Sequence, residues 1–190
     1  MSTSFNMEEY IDIVTQDGKP TGYKELKSVV HQNGLYHHTA HIWLYTKNRE
    51  ILLSQRAASK SICPLLWDVS VAGHVDAGES IINGALREMK EEINLILSEN
   101  DLYKVGTFES LQNYGNGIID NEFHNTFLAE LKVPISALKP QIDEVAALKL
   151  VSFTEFENLL ENSESNGHFV ASNTPYYMQV LNAIKNIITF

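Results

Sequence analysis

GHVDAGESIINGALREMKEEINL, residues Gly73 to Leu95, decides how this chain is read. From Ser80 onward Ile82, Ala85, Leu86, Met89 and Ile93 recur at steps of three and four, the spacing of one buried helix face. Asn94 follows, a residue that tolerates the left-handed backbone at which helices stop, so the spacing predicts a helix from Ser80 to about Asn94. With Glu88 at the zero of a helical wheel, Glu91 and Glu92 project from nearly the same side, roughly opposite the Ile82, Ala85, Met89, Ile93 stripe. Carboxylates so placed suit a cleft only if their repulsion is offset. Hard oxygen ligands favour Mg²⁺ or Mn²⁺, which neutralise the cluster and keep coordination positions for water and phosphate. The plainer alternative is a solvated charged face, which an acidic triplet alone usually is. Gly84 falls on the acidic side, where Ala would stabilise a helix by about 1 kcal/mol; its small size is expected to admit the loop backbone.

On the N-terminal side, Glu9 to Val14 reads as a strand, Asp17-Gly18 and Pro20-Thr21-Gly22 as turns, and Tyr23 to His31 as a short helix. Thr39 to Tyr45 and Glu50 to Ser54 are apolar β-rich runs that pair as a hairpin. Gln55 to Pro64 is a polar loop, and Leu65 to Ala72 returns to strand character, stopping at Gly73. Beyond the helix, Leu102 to Leu111 and Glu122 to Leu131 form a second hairpin through Gln112 to Asn121. Thr154 with Glu157 reads as a capping box ahead of Phe156, Leu159 and Leu160. Tyr177, Val180, Leu181, Ile184, Ile187 and Ile188 form a terminal amphipathic helix after a polar connection, Ser163 to Asn173. The fold class is α+β, and residues 1–190 read as one domain with an N-terminal strand and helix extension.

The balance of 14 Lys plus Arg against 24 Asp plus Glu leaves a formal charge of -10, which repels nucleic-acid backbone and anionic lipid alike. No basic run overrides it, so neither a nucleic-acid polymer nor a membrane is expected as partner. A phosphate-bearing small substrate would be repelled too, and its site needs local cations or metal ions. No stretch approaches the roughly 18 uncharged apolar residues of a membrane span, and MSTSFNMEEY lacks the order of a signal peptide. The single cysteine, Cys63, suits a reducing compartment, so a cytoplasmic location is expected. Apolar surface on the terminal helix would suit a symmetric homodimer, which nothing in the sequence decides.

Counting from Gly73, five residues lead to Glu79, seven more to Arg87, and Glu88, Met89, Lys90, Glu91, Glu92, Ile93, Asn94 and Leu95 follow. This pattern resembles the Nudix box: Gly, five residues, Glu, seven residues, Arg-Glu, an aliphatic, any residue, Glu-Glu, any residue, Gly, an aliphatic. Only the last Gly differs, as Asn94, and Asn accepts the same left-handed backbone. The resemblance implies a mixed sheet sandwiched between helices and a box that binds divalent metal. Glu88, Glu91 and Glu92 inherit the ligand roles, with the carbonyl near Gly73 a further donor; Mg²⁺ is the expected ion and Mn²⁺ the substitute. Glu88, Glu91 or Glu122 would act as general base, and Arg87 with Glu79 would brace loop against helix. The substrate would be a small-molecule diphosphate.

A wider likeness, Gln55-Arg56 with Lys60, then Pro64, Trp67, Ser70 and Gly73-His74, resembles the isopentenyl diphosphate isomerase branch of that superfamily. It implies that Arg56 and Lys60 touch the substrate diphosphate, and that His31, His37 or His38, His74, Asp120 and Glu122 form a second metal site. The plain alternatives are ordinary surface charges and scattered structural histidines. That branch needs a cysteine just before the Gly-His; Ala72 stands there and can neither donate nor accept a proton. Cys63, nine residues upstream, reads instead as a partly buried loop residue. Three readings therefore compete: hydrolysis of a nucleoside diphosphate derivative or another organic diphosphate, allylic diphosphate isomerisation, and a non-catalytic nucleotide sensor. The intact carboxylates favour the first. Tyr114, Tyr176 and Trp43 could stack on a base, but aromatics so placed are more often core, and they are left out of the site.

Overall fold

The computed structural model describes residues 9–161, 163, 165 and 174–189. Strand β1 (Tyr10–Val14) pairs antiparallel with β2 (Pro20–Leu26), and α1 (Lys27–Asn33) follows directly, ending at Gly34 in the left-handed conformation (φ 61°). The expected helix from Tyr23 to His31 is thus corrected: Tyr23 to Leu26 is drawn into the sheet by its pairing with β1, a tertiary partner that local propensity does not see.

The main sheet gathers β3 (His37–Thr46), β4 (Glu50–Arg56), β5 (Trp67–Asp68), β6 (Val71–His74), β7 (Tyr103–Asn113), β8 (Ile119–Glu130) and β9 (Val145–Ser152). Its order is β5-β4-β3-β8-β7, with β6 also on β3 and β9 on β4. Both expected hairpins form, β3 with β4 and β7 with β8, while β3 and β8 run parallel. The strand expected from Leu65 to Ala72 is two strands, β5 and β6, and the second continues through Gly73 to His74. Between them the buried Ser70 hydroxyl accepts the Leu44 N–H at 2.8 Å and donates to the Leu52 carbonyl at 2.6 Å.

Both sheet faces are covered. Ala40, Ile42, Leu44 and Val71 pack under Ala85, Met89 and Ile93 of α2 (Ile81–Ile93). Trp43, Tyr45, Leu53 and Leu128 pack under α3 (Phe153–Glu161) and α4 (Thr174–Thr189). The capping box expected at Thr154 and Glu157 is corrected by two residues: the helix starts at Phe153, and the Ser152 hydroxyl accepts the Glu155 N–H at 3.1 Å. The Ser163 to Asn173 connection lies mostly outside the described residues. Among the described residues no helix is long and apolar enough to cross a membrane.

Candidate active site and metal centres

Ser80 opens α2 by accepting the Asn83 N–H at 3.2 Å, and Asn94 closes it in the left-handed conformation (φ 55°). These two ends hold the carboxylates against the edge of β6. A Cβ on Gly73 would lie 2.0 Å from the Glu88 carboxyl carbon, so only Gly lets strand and carboxylate approach. Arg87 meets Glu79 at 3.0 Å through Nη2, Glu88 at 2.8 Å and Glu91 at 3.2 Å through Nη1, and the His74 carbonyl at 2.8 Å. Loop, strand and helix thus converge on one guanidinium. Gly84 sits against the same loop, with its hypothetical Cβ 3.6 Å from the Val75 backbone.

The three carboxylates line one cavity, as the helical wheel places them, but they do not share one environment. The Glu91 side chain is 53% exposed, whereas Glu92 is buried beside Met89 and Ile93. Burial, reinforced by the charge of Glu88, pushes the Glu92 carboxyl up to about 8. Burial likewise pushes Glu88 to about 7 against the pull of Arg87. Two buried carboxyls that resist ionisation, one of them pressed against the bare backbone of Gly73, are hard oxygen donors whose charge a divalent cation would offset.

On the other face of the sheet lies a floor of imidazoles. Along β3, His37, Thr39 and His41 share one side by strand alternation; along β8, Asp120, Glu122 and His124 do the same. The parallel register sets His37 opposite Glu122 and Thr39 opposite His124, while β6 sets His74 opposite Thr39. His31 reaches in from the last turn of α1, with its Nε2 3.2 Å from His74 Nε2 and 3.4 Å from Asp120 Oδ1. His37 Nε2 lies 3.8 Å from Asp120 and 3.5 Å from Glu122 Oε1, and His74 Nε2 is 3.8 Å from the same oxygen. Atoms about 3–4 Å apart are spaced like the edges of a coordination shell whose bonds are about 2.0–2.2 Å long. His37 Nδ1 donates to the Leu35 carbonyl at 2.9 Å, leaving Nε2 as a lone pair, and both that atom and Asp120 Oδ1 are buried without a hydrogen-bond partner. The donor set fits a metal ion.

The choice between His37 and His38 falls to His37. His38 lies on the opposite side of β3, beside Phe123 and 3.1 Å from Asn125 Nδ2, and burial lowers its pKa. Burial also draws His37 down, but the Glu122 carboxylate outweighs it and raises the group. His74 is held well below its ordinary value by burial and then by Lys27. Burial would raise Glu122, yet His124 and His37 hold it well below the carboxylate range.

Both regions open into one cavity of about 700 Å³, whose walls include Arg56, Lys60, Glu88, Glu91, Glu92, His74, Glu122 and Tyr114. Arg56 lies 3.6 Å from Asp68 and donates to the Ile62 carbonyl, and Lys60 is ion-paired with Glu144. Tyr114 and Tyr176 line the cavity, whereas Trp43 belongs to the core. Ala72 and Cys63 are also in the wall, and burial raises the Cys63 thiol. Two residues went unnoticed in the sequence, His41 and His124; the signal was the two-residue spacing from His37 and Glu122 along their strands.

A mixed sheet between helices, with a glycine-bearing strand laid against a carboxylate helix, defines the Nudix fold. The NUDIX domain family profile matches residues 35–172, and the chain belongs to the Nudix hydrolase family. It is 33% identical over 162 residues to Nudix hydrolase 3 of Arabidopsis thaliana, covering 83% of this chain and about a fifth (21%) of that protein's length. An isopentenyl-diphosphate Delta-isomerase 2 of Photorhabdus laumondii is 30% identical over 158 residues, 83% of this chain and 85% of the relative. Among solved structures, a Deinococcus radiodurans protein superposes with a TM-score of 0.66 at 16% identity, over 94% of this chain and 98% of its own. The NUDIX domain of Shewanella oneidensis NrtR, complexed with ADP ribose, superposes with a TM-score of 0.56 at 17% identity, over 80% and 87% of the two chains.

Proposed function

We propose that the chain hydrolyses a diphosphate linkage in a nucleoside diphosphate derivative or another organic diphosphate, using Mg²⁺ held by Glu88, Glu91 and Glu92. The observation that carries this reading is the pair of buried carboxyls on α2, Glu88 set against the bare backbone of Gly73 and Glu92 one turn further along. When bound, the ion polarises the phosphoryl oxygens and makes water a better nucleophile at neutral pH. Arg87 fixes Glu88 from one side and, through the His74 carbonyl and Glu79, holds the loop that follows β6. Glu91 is the best placed of the three candidate bases. It lines the cavity with half its side chain exposed and meets Arg87 at 3.2 Å, while Glu122 has an imidazole near each carboxylate oxygen and Glu88 is buried with Arg87 at 2.8 Å. Arg56 and Lys60 stand where they could turn from Asp68 and Glu144 toward a diphosphate. The histidine floor is read as a second metal site of His31, His37, His74, Asp120 and Glu122, suited to Mn²⁺ or Zn²⁺ by its imidazoles. The net charge of -10 supports a small-molecule substrate over a nucleic-acid polymer, and the single cysteine is in keeping with a cytoplasmic enzyme.

A second reading, isomerisation of an allylic diphosphate, draws on the isomerase relatives and the histidine floor; Ala72 opposes it, since a methyl group carries no proton. One panel separates them: nucleotide sugars, dinucleoside polyphosphates, nucleoside di- and triphosphates and isopentenyl diphosphate, with and without Mg²⁺, beside a Glu91→Gln/Glu92→Gln control. Mg²⁺-dependent phosphate or monophosphate release lost in the control supports hydrolysis. Turnover of isopentenyl diphosphate alone overturns it, and nucleotide binding without any product points to a sensor.

A further inference from the structure

Glu122 stands between two groups of imidazoles. Its Oε1 faces His37 and His74, whereas its Oε2 lies 2.7 Å from His124 Nε2. Beyond His124, the His41 ring stacks on it with centroids 3.8 Å apart and planes inclined by 22°. One ligand atom each from His41, Glu122 and His124 can be chosen within 4.8 Å of one another. The Tyr176 hydroxyl accepts the buried Trp43 indole N–H at 3.0 Å and lies 3.1 Å from His41 Nδ1. Tyr176 thereby orients the ring and leaves His41 Nε2 available to a ligand. Between the groups, on the same side of β3, sits Thr39, only 2% exposed, and its hydroxyl is buried with no hydrogen-bond partner. A hydrogen-bonded cluster accounts for the Glu122 to His124 and His31 to His74 contacts. It leaves the Thr39 hydroxyl, His37 Nε2 and Asp120 Oδ1 unsatisfied, a combination that folded proteins rarely tolerate.

We infer that the histidine floor binds a pair of divalent transition-metal ions bridged by the Glu122 carboxylate, one among His31, His37 and His74 and the other between His41 and His124. This rests on the reading of the first group as a metal site. Imidazole and carboxylate donors select Zn²⁺, Mn²⁺ or Fe²⁺ over Mg²⁺, which keeps to the carboxylates of α2. The second ion takes the place of the proton between His124 Nε2 and Glu122 Oε2, and that proton passes to solvent. The Thr39 hydroxyl then hydrogen-bonds a solvent ligand of the pair. The two wells lie on successive same-face rungs of the β3 and β8 ladder, His37 opposite Glu122 and Thr39 opposite His124, about 6.6 Å apart along the strands, and each Glu122 carboxylate oxygen faces one of them.

The test uses the full chain, stripped with a chelator and titrated with Co²⁺ under excess Mg²⁺, which fills the α2 carboxylates. Visible absorption and metal content after gel filtration count the imidazole-bound ions, and Mn²⁺-loaded protein is examined by electron paramagnetic resonance. Two equivalents of Co²⁺ and an exchange-coupled Mn²⁺ spectrum are expected. His41→Gln/His124→Gln should halve the retained cobalt, and Glu122→Gln should abolish the coupling. One equivalent with isolated-ion Mn²⁺ spectra, lost on His37→Gln, would keep the first well and overturn the pair. No retained cobalt would overturn both. The spectrum of the unsubstituted chain decides even if a variant fails to fold.

Discussion

Glu92 is buried among the apolar residues of α2, and replacing it by its neutral isostere separates the cost of its charge from the benefit of a bound ion. Its folded-state pKa is raised from 4.5 to about 8, so the folded chain holds a proton that the unfolded chain has released over that interval. Stability from this group is therefore fully present below pH 4.5 and falls as the pH climbs to about 8. The interval of about 3.5 pH units, at about 1.36 kcal/mol each, sets an upper bound of about 5 kcal/mol. Glu88 shares the pocket and competes for the same proton, which brings the expected cost to about 2 kcal/mol at pH 8. In a chain of this length that is a melting shift of about 4–8 °C. Metal-free Glu92→Gln should therefore melt above the parent at pH 8 and level with it at pH 5. The Ala72 N–H that approaches Glu92 still finds an acceptor in the Gln carbonyl. Mg²⁺ at a hundred times its dissociation constant adds about 2.7 kcal/mol to the parent and much less to the variant, reversing the order. Scanning calorimetry at the two pH values, with chelator or Mg²⁺, reads all four states. If metal-free Glu92→Gln melts below the parent at pH 8, the account of a strained buried carboxylate is wrong.

Gly73→Ala would drive a methyl to within 2.0 Å of the Glu88 carboxyl carbon. Because Arg87 pins that carboxylate, hydrolysis should fall about 100-fold while far-ultraviolet dichroism is unchanged; activity within a few-fold of the parent would show that Glu88 moves without consequence. Tyr176→Phe removes the acceptor for the Trp43 indole N–H, and urea unfolding should report a loss of about 1–3 kcal/mol. Asn94→Gly suits the left-handed backbone at the end of α2 and should stabilise by about 0.5 kcal/mol in the same assay, with kcat unaltered.

The parts of the fold legible in the sequence were those decided locally. The apolar period of α2 and its Asn94 stop placed that helix within a residue of its observed ends, since caps and burial act within a few residues. Tyr23 to Leu26 and β9 were decided by strands elsewhere in the chain: β1 recruits the first, and β4, about 90 residues upstream, recruits the second. The His37 or His38 ambiguity has a similar origin. Ile42 and Leu44 face α2 while Trp43 and Tyr45 face α3 and α4, so β3 is apolar on both faces and its sequence shows no alternation to set the phase. The box carboxylates were visible as residues, but the burial that distinguishes Glu92 from Glu91 depends on β6 and on Lys139 and Gln141, whose N–H groups donate to the Ile93 and Glu92 carbonyls at the helix end.

Charge decides the order in which the site fills. The cavity wall contains Lys27, Arg56 and Lys60, and each of these cations already lies against a carboxylate: Glu9, Asp68 and Glu144 in turn. To these paired charges the wall adds the carboxylates of α2 and β8, on a chain whose net charge is -10. A diphosphate entering the metal-free cavity therefore meets net repulsion. On the proposed reading metal ions bind first, displacing the protons that burial keeps on Glu88 and Glu92 and reversing the field that the substrate meets. Calorimetric titration of a non-hydrolysable diphosphate should accordingly show no heat of binding to chelator-treated protein and saturable binding once Mg²⁺ is restored. Equal affinity in both states would mean that Arg56 and Lys60 leave their partners at no cost and that the ion serves chemistry alone.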